Sequence, residues 1–341
     1  MFARLLSILI LGVIAGCSTA AQETESRGGF VRLGYFPNVT HATAIVGIEH
    51  GLLADAVGDD GMVLPQAFNA GPDVVEAIFN GGLDASYLGP NPAINAFTRS
   101  GGEAIRIVAG ATSGGAFLVV RDGISEPADL VGTTLATPQL GNTQDVALRA
   151  WLSEHGYQTD LEGGGDVSIA PQANGQALEA FIAGEIDGAW VPEPWATRMI
   201  TEGRGTILVD EADLWPHGKF VTTHLIVATS FLNDHPDVVK ALLQGHVAAN
   251  SFVKENPEQS QQIVRAAIAE LTDTELPEQT LAAAWDNLTF TVDPIADSLV
   301  VSARHAKELD LLESDDLDGI YDLELLNDVL REAGAQQIST P

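Results

Sequence analysis

Six short polar stretches of this sequence, five of them containing glycine or proline, form a pattern that could hold a ligand. They are Pro37-Asn38-Val39-Thr40-His41, Gly89-Pro90-Asn91, Thr112-Ser113-Gly114-Gly115, Gln139-Leu140-Gly141-Asn142-Thr143, Trp190-Val191-Pro192-Glu193-Pro194-Trp195 and Thr222-Thr223-His224. Most follow an apolar run that reads as a strand, and several open a helix. The first N–H groups of a helix have no partner inside it, and the positive end of its dipole faces outward. Such loops hold an oxyanion without a cationic side chain, and none of the six contains lysine or arginine.

The candidate ligand contacts are therefore Asn38, Thr40, His41, Gly89, Asn91, Ser113, Gly114, Gly141, Asn142, Thr143, Trp190, Glu193, Thr223 and His224. Thr40, Asn91 and Asn142 suit ordinary helix capping equally well. His41 and His224 could donate to an anion or serve the core. Trp190 and Trp195 could wall an apolar or planar part of the ligand, although Trp195 suits the core as well. Glu193 would repel a pure anion. It could instead hold an ammonium, accept hydrogen bonds at the rim or cap its helix.

Signatures of catalysis are absent. The sequence has no G-x-x-x-x-G-K-[ST] to cradle a phosphate, no H-E-x-x-H to bind zinc and no G-x-S-x-G to present a nucleophile. Gly163-Gly164-Gly165 precedes a strand and opens no helix. The eight histidines lack metal-ligand spacing. The expectation is a binding protein without enzyme activity, cofactor or metal.

The elements that must position these loops alternate. Strands are predicted over 30–35, 62–68, 85–88, 105–109 and 116–120, with helices over 42–50, 72–80 and 92–98 between them. The same alternation continues with strands over 133–137, 167–170, 189–191 and 206–209 and helices over 143–155, 176–183 and 193–202. A long strand over 221–229 then returns the chain. Helices over 236–256, 257–271 and 277–288 each carry proline in the first turn, and the acidic tail 309–334 reads as a packing helix. Alternation with short connections predicts an α/β fold with mainly parallel sheets. An internal echo divides it in two. Asn69–Ala85 can be laid on Gln172–Gly188, so that Leu83-Asp84 meets Ile186-Asp187 and Tyr87 meets Trp190. Glu49-His50-Gly51 likewise matches Glu154-His155-Gly156. The expected division is one lobe of residues 30–120 with 225–341 and a second of residues 121–224.

Charge narrows the partners. With 16 basic against 47 acidic residues the chain carries −31, which argues against nucleic acid and against a polybasic membrane surface. Residues 1–16 combine a basic start, an apolar run too short to span a bilayer comfortably and a small-residue end, as a secretory signal peptide does. The sole cysteine follows, in Ile14-Ala15-Gly16-Cys17-Ser18. That stretch resembles a bacterial lipobox, which implies cleavage before Cys17 and lipidation of its thiol. Residues 17–29 read as a flexible tether.

Leu33-Gly34-Tyr35-Phe36-Pro37-Asn38-Val39-Thr40-His41, Phe68-Asn69-Ala70-Gly71-Pro72, Gly81-Gly82-Leu83-Asp84, Ala128-Asp129-Leu130-Val131-Gly132 and Asp187-Gly188-Ala189-Trp190 together resemble the aliphatic sulfonate/nitrate/taurine class of solute-binding proteins of ABC importers. The resemblance covers Phe30 to about Asp310. It implies a two-lobed type II periplasmic-binding-protein fold with two hinge strands and a ligand in the cleft. It also implies a monomer, anchored by lipid outside the cell membrane, that delivers a small solute to a permease with a separate ATPase. Nitrate binders of this class would favour a lysine near the cleft. None is conspicuous here, which tips the reading toward an aliphatic sulfonate. Nitrate, bicarbonate, taurine and thiamine or flavin precursors stay open. A thiamine-pyrimidine synthase on the same fold would need a cytosolic setting and a cysteine-rich motif, and this sequence has neither.

Overall fold

The computed structural model describes residues 29–58 and 61–339. The leader, Cys17 and the tether through residue 28 lie outside the described residues. Among the described residues, eleven strands form two sheets. They are β1 (Phe30–Tyr35), β2 (Met62–Ala67), β3 (Ala85–Leu88), β4 (Ile105–Gly114), β5 (Ala116–Val120), β6 (Thr134–Thr137), β7 (Ser168–Pro171), β8 (Gly188–Pro192), β9 (Thr206–Asp210), β10 (Val221–Ala228) and β11 (Leu288–Phe290). Helices α1 (Ala42–Glu49), α2 (Leu52–Val57), α3 (Gly71–Phe79) and α4 (Pro90–Arg99) serve the first part of the chain. Helices α5 (Thr143–Glu154), α6 (Asn174–Ala183) and α7 (Trp195–Thr201) serve the second. The remainder carries α8 (Thr229–Asp234), α9 (Pro236–Glu255), α10 (Pro257–Thr272), α11 (Glu278–Asp286), α12 (Ala296–Glu308) and α13 (Glu324–Glu332).

One sheet has the order β11-β4-β10-β3-β1-β2 and the other β7-β6-β8-β5-β9. The inner strands β3, β5, β8 and β10 are buried on two faces. In β5, Phe117 and Val119 join one apolar core while Leu118 and Val120 join another. In β10, Leu225 and Val227 face one core and Ile226 the opposite one. Period-2 alternation with apolar residues on both sides is the signature of such enclosed strands.

The internal echo is a shared piece of construction. β1 lies between parallel β2 and β3, as β6 lies between parallel β7 and β8. An antiparallel strand then follows on each side, β10 beside β3 and β5 beside β8. Asp84 and Asp187 fasten the two copies in the same way. Asp84 Oδ2 accepts from Arg32 N at 2.8 Å and Asp187 Oδ2 from Thr134 N at 2.9 Å, while each aspartate N–H returns a bond to the same residue.

Sheet membership differs from the expected division at two places. β5, expected in the first lobe, pairs with β8 and β9. Val221–His224, expected in the second lobe, open β10, which pairs with β3 and β4. The chain changes sheets earlier than anticipated because Gly114 and Gly115 both take positive φ, 82° and 71°. That pair redirects a continuous extended run from one sheet to the other, a conformation side chains with Cβ rarely adopt. The acidic tail also departs from a single helix. Its residues 309–323 are non-helical, because short polar side chains there bond to nearby backbone. Ser314 Oγ accepts from Asp316 N at 3.2 Å and Asp316 Oδ1 from Asp318 N at 3.0 Å. The helix that packs there, α12, comes earlier, and α13 follows.

Candidate functional site

Loops after β1, β2, β3, β6 and β7 converge on one cavity of about 30 Å³. This is the end of the sheets where ligands of open α/β folds collect. From the six-stranded sheet come Asn38, Thr40 and His41 after β1, Asn69 to Gly71 after β2, Gly89 after β3 and Thr222 of β10. The five-stranded sheet contributes Asn142 to Gln144 after β6, Asn174 after β7 and Pro192 at the end of β8. Gly71 opens α3, Gly89 caps α4, Asn142 caps α5 and Asn174 opens α6. None of the lining residues is Asp, Glu, Lys or Arg. The favourable potential for an anion therefore comes from backbone N–H groups and helix dipoles. α4 gives least, because Pro90 and Pro92 carry no N–H.

Two glycines set how closely these helix ends meet. A Cβ on Gly89 would stand 2.5 Å from Thr143 Oγ1, and one on Gly71 would stand 2.2 Å from Pro92 Cγ. Neither spacing accommodates a side chain.

Hydrogen bonds hold the loops rigid. Asn142 Oδ1 caps α5 by accepting from Asp145 N at 2.9 Å. The Asp145 carboxylate accepts from Gly141 N at 3.0 Å, Thr137 Oγ1 at 2.9 Å and Arg149 Nε at 3.0 Å. The Asp145–Arg149 pair is buried, so its partners are costly to separate. Opposite, Thr112 and Thr223 hydroxyls donate to Thr40 O at 2.7 and 3.2 Å, tying the 3₁₀ turn Val39–His41 to β4 and β10. His41 Nδ1 accepts from Phe36 N at 3.3 Å. Burial draws the His41 pKa down to about 3, so the ring is neutral and Nε2 carries its proton.

A larger chamber of about 410 Å³ adjoins the cavity at Asn38, Asn69 and Asn174. Leu178, Ile268 and Leu276 give it an apolar side. Trp195 stands at the junction, donating from Nε1 to Asn38 Oδ1 at 2.9 Å, with the Arg198 guanidinium 5.1 Å from its ring centroid. Asn174 Oδ1 is buried there without a partner among the described residues.

Of the candidate contacts, Asn38, Thr40, His41, Gly89, Asn142 and Thr143 meet at this cavity. The other eight lie elsewhere. Asn91 donates to Ser302 O at 3.3 Å, and Ser113 and Gly114 lie in β4 against β11. Gly141 forms the turn before α5 with φ of 73°. Trp190 is a core residue whose Nε1 donates to Glu211 Oε2 at 2.7 Å. Thr223 faces Thr40, and His224 Nε2 bonds Pro294 O at 3.0 Å. Glu193 is buried and accepts from Thr197 N at 3.1 Å, Thr197 Oγ1 at 2.8 Å and Asn287 Nδ2 at 2.7 Å. Burial raises its pKa, and those hydrogen bonds oppose the shift.

Sequence reasoning missed Asn69, Gly71, Gln144, Asn174 and Thr222. A signal existed for two of them. Gly71 and Asn174 correspond in the internal echo, and both are first residues of a helix.

Residues 27–269 match the family described as NMT1-like. The chain belongs to the NMT1-like family. This NMT1-like protein is 27% identical over 194 residues to the taurine-binding periplasmic protein of Escherichia coli (strain K12), a match spanning 56% of the chain and 57% of that relative's length. It is thus similar to less than two thirds of that relative. Its fold is similar to that of the alkanesulfonate-binding protein of Xanthomonas axonopodis pv. citri bound to MOPS, with TM-score 0.70, 19% identity and coverage of 85% and 96% of the two chains. It is also similar to the periplasmic nitrate-binding protein of Synechocystis PCC 6803, with TM-score 0.72, 17% identity and coverage of 89% and 88%. At such identities the likeness concerns the fold, which is that of periplasmic binding proteins. In this NMT1-like protein the site supplies neutral hydrogen-bonding groups and helix ends in a place shielded from solvent, which suits recognition of a compact oxyanion.

Proposed function

We propose that this protein is the extracytoplasmic solute-binding component of an ABC importer, capturing an organic sulfonate-type anion and delivering it to a permease driven by a separate ATPase. The observation that carries this reading is the convergence of helix N-termini on a cavity whose lining bears no charged side chain. The sulfonate head sits among those helix ends, and the body of the solute extends past Asn174 into the larger chamber. The names of the taurine-binding relative and of the alkanesulfonate-binding neighbour agree with that chemistry. The two sheets form the two lobes of the trap, with the chain crossing between them at Gly114-Gly115 and again between β9 and β10. The protein acts as a monomer, tethered outside the membrane through a lipid on Cys17.

Calorimetry with ethanesulfonate, taurine, nitrate and bicarbonate tests the ligand. A sulfonate should bind most tightly, and Thr143→Val should weaken it; failure of all four to bind would overturn the reading. Detergent partitioning tests the anchor separately. Cys17→Ala should move the protein from the detergent phase to the aqueous phase while ligand affinity is kept.

A further inference from the structure

Of the four helices that open at the small cavity, α3 and α5 carry an acidic residue in the first turn, Asp73 and Asp145, while α4 and α6 carry none. The helix dipole favours such a residue, which therefore competes with a bound anion for the same positive potential. Asp73 is exposed and screened by water and salt. Asp145 is fully buried, on the helix end that also brings Thr143 and Gln144 to the cavity. Its charge is screened far less. Asp145 N is taken by Asn142 Oδ1 and Val146 N by Asn142 O, which leaves the Thr143 and Gln144 N–H groups for a ligand.

Arg149, one turn along α5, answers that charge. Its Nε donates to Asp145 Oδ2 at 3.0 Å, and both side chains are shut off from solvent. Nη1 donates to Asp160 O at 2.8 Å, while Nη2 is buried with no partner among the described residues. A guanidinium so incompletely bonded is costly to bury, so the Asp145 charge is what retains it. Other charges around α5 are engaged elsewhere. β6 and β8, which pack on it, bear none. Arg99 of α4 pairs with Glu76, and Lys307 of α12 with Asp315. Arg304 and His305 of α12 meet α5 toward Glu154, at its far end. Glu211 accepts from Trp190, and the Asp160 carboxylate from Glu162 N and Gly164 N.

We propose that Arg149 is a positioning residue for anion recognition, cancelling the Asp145 charge so that the N-terminus of α5 offers its positive potential to the ligand. The inference rests on the reading that the small cavity holds an anionic head. The pair divides two duties. Asp145 shapes the loop through its bonds to Gly141 N and Thr137 Oγ1, and Arg149 removes the repulsion that a bare carboxylate there would exert.

Calorimetry with ethanesulfonate on the full chain tests this, with circular dichroism confirming the fold of each variant. Arg149→Met deletes the charge at similar volume. At pH 8 it should bind about tenfold or more weakly than wild type. Most of that loss should return at pH 5, where the uncompensated carboxyl takes up a proton. Asp145→Asn/Arg149→Met leaves neither charge, so it should recover most of the affinity lost at pH 8 and show no pH dependence. Asp145→Asn alone leaves the guanidinium uncompensated and should bind about threefold or more tightly than wild type, an arm that stands even if Arg149→Met does not fold. An equal loss at both pH values would make Arg149 purely structural and overturn the proposal. So would wild-type affinity in Arg149→Met, a double variant as weak as Arg149→Met, or weaker binding by Asp145→Asn. Wild-type protein that binds ethanesulfonate at neither pH would instead overturn the reading of the cavity, and this inference with it.

Discussion

Trp195 Nε1 donates to Asn38 Oδ1 at 2.9 Å, joining a residue that follows β8 of one sheet to a residue that follows β1 of the other. The bond sits where the small cavity opens into the larger chamber, so it links the two halves at the ligand's path. Asn287 and Glu193 make a second such link near the sheet changeover.

Trp195→Phe should therefore speed ligand release. The variant keeps the ring but loses a neutral hydrogen bond worth a net of about 0.5–1.5 kcal/mol. Dissociation of the tightest-binding sulfonate, followed by stopped-flow, should accelerate about two- to tenfold. An unchanged rate would show that this bond does not hold the halves together.

Gly89→Ala should interfere with the meeting of α4 and α5, since the new Cβ would fall 2.5 Å from Thr143 Oγ1. Affinity should drop about tenfold or more, the equivalent of 1.4 kcal/mol. Deleting the opposing atom should relieve the clash. The double variant Gly89→Ala/Thr143→Ala is thus expected to bind as well as Thr143→Ala alone. Additive losses in that cycle would remove the steric explanation.

Ligand affinity should be flat between pH 5 and 8. The small cavity that takes the anionic head is lined by no Asp, Glu, Lys or Arg, and the His41 pKa lies near 3. Binding that strengthens severalfold as pH falls from 7 to 5 would mean that His41 charges to meet the anion.

Stability should behave differently from affinity. His41 is drawn down to about 3, and His224 and His246 to about 4, from an ordinary 6.5, in each case chiefly by burial. Their contribution is present above pH 6.5 and fades as pH falls toward those values, because the unfolded chain takes up protons first. Glu211 works in the opposite sense. Its pKa is raised from 4.5 to about 7, so its contribution is full below 4.5 and fades as pH rises to 7. With His305 lowered as well and Glu193 raised like Glu211, four histidines outweigh two carboxyls, and the melting temperature should fall from pH 6.5 to 4. In Glu211→Gln that residue's compensating slope is gone and the fall should be steeper. A melting temperature that rises on acidification would contradict this assignment of buried neutral histidines.

Much of the architecture was legible because its signals are local. β3 and β5 fall on the predicted residues, and α9 and α10 start at the predicted Pro236 and Pro257, where fixed φ and the missing N–H place them. The site was half legible for a related reason. Loops at strand ends could be named, but the face a strand residue takes depends on pairing that the chain does not display. Thr222 lines the cavity while Thr223, one residue on, points at Thr40. Trp190 and Glu193 were similarly undecidable, since each finds its partner, Glu211 or Asn287, far along the chain. The change of sheet at Gly114-Gly115 was hidden because the glycine-containing break between the predicted strands 105–109 and 116–120 does not display which sheet the second strand joins.

The order of strands also constrains how the chain can be made. All five strands of the sheet β7-β6-β8-β5-β9 come from one uninterrupted stretch, 116–210, so that half can assemble as soon as it is synthesised. The other sheet cannot. β10 lies between β3 and β4, so the first four strands to emerge stay in two unjoined groups until residues 221–228 arrive. Until then β3 and β4 present open edges, the kind of surface that pairs with the wrong chain. The earliest-made half is thus the last to close, and a secreted version of this chain must be held apart from its neighbours for most of its length.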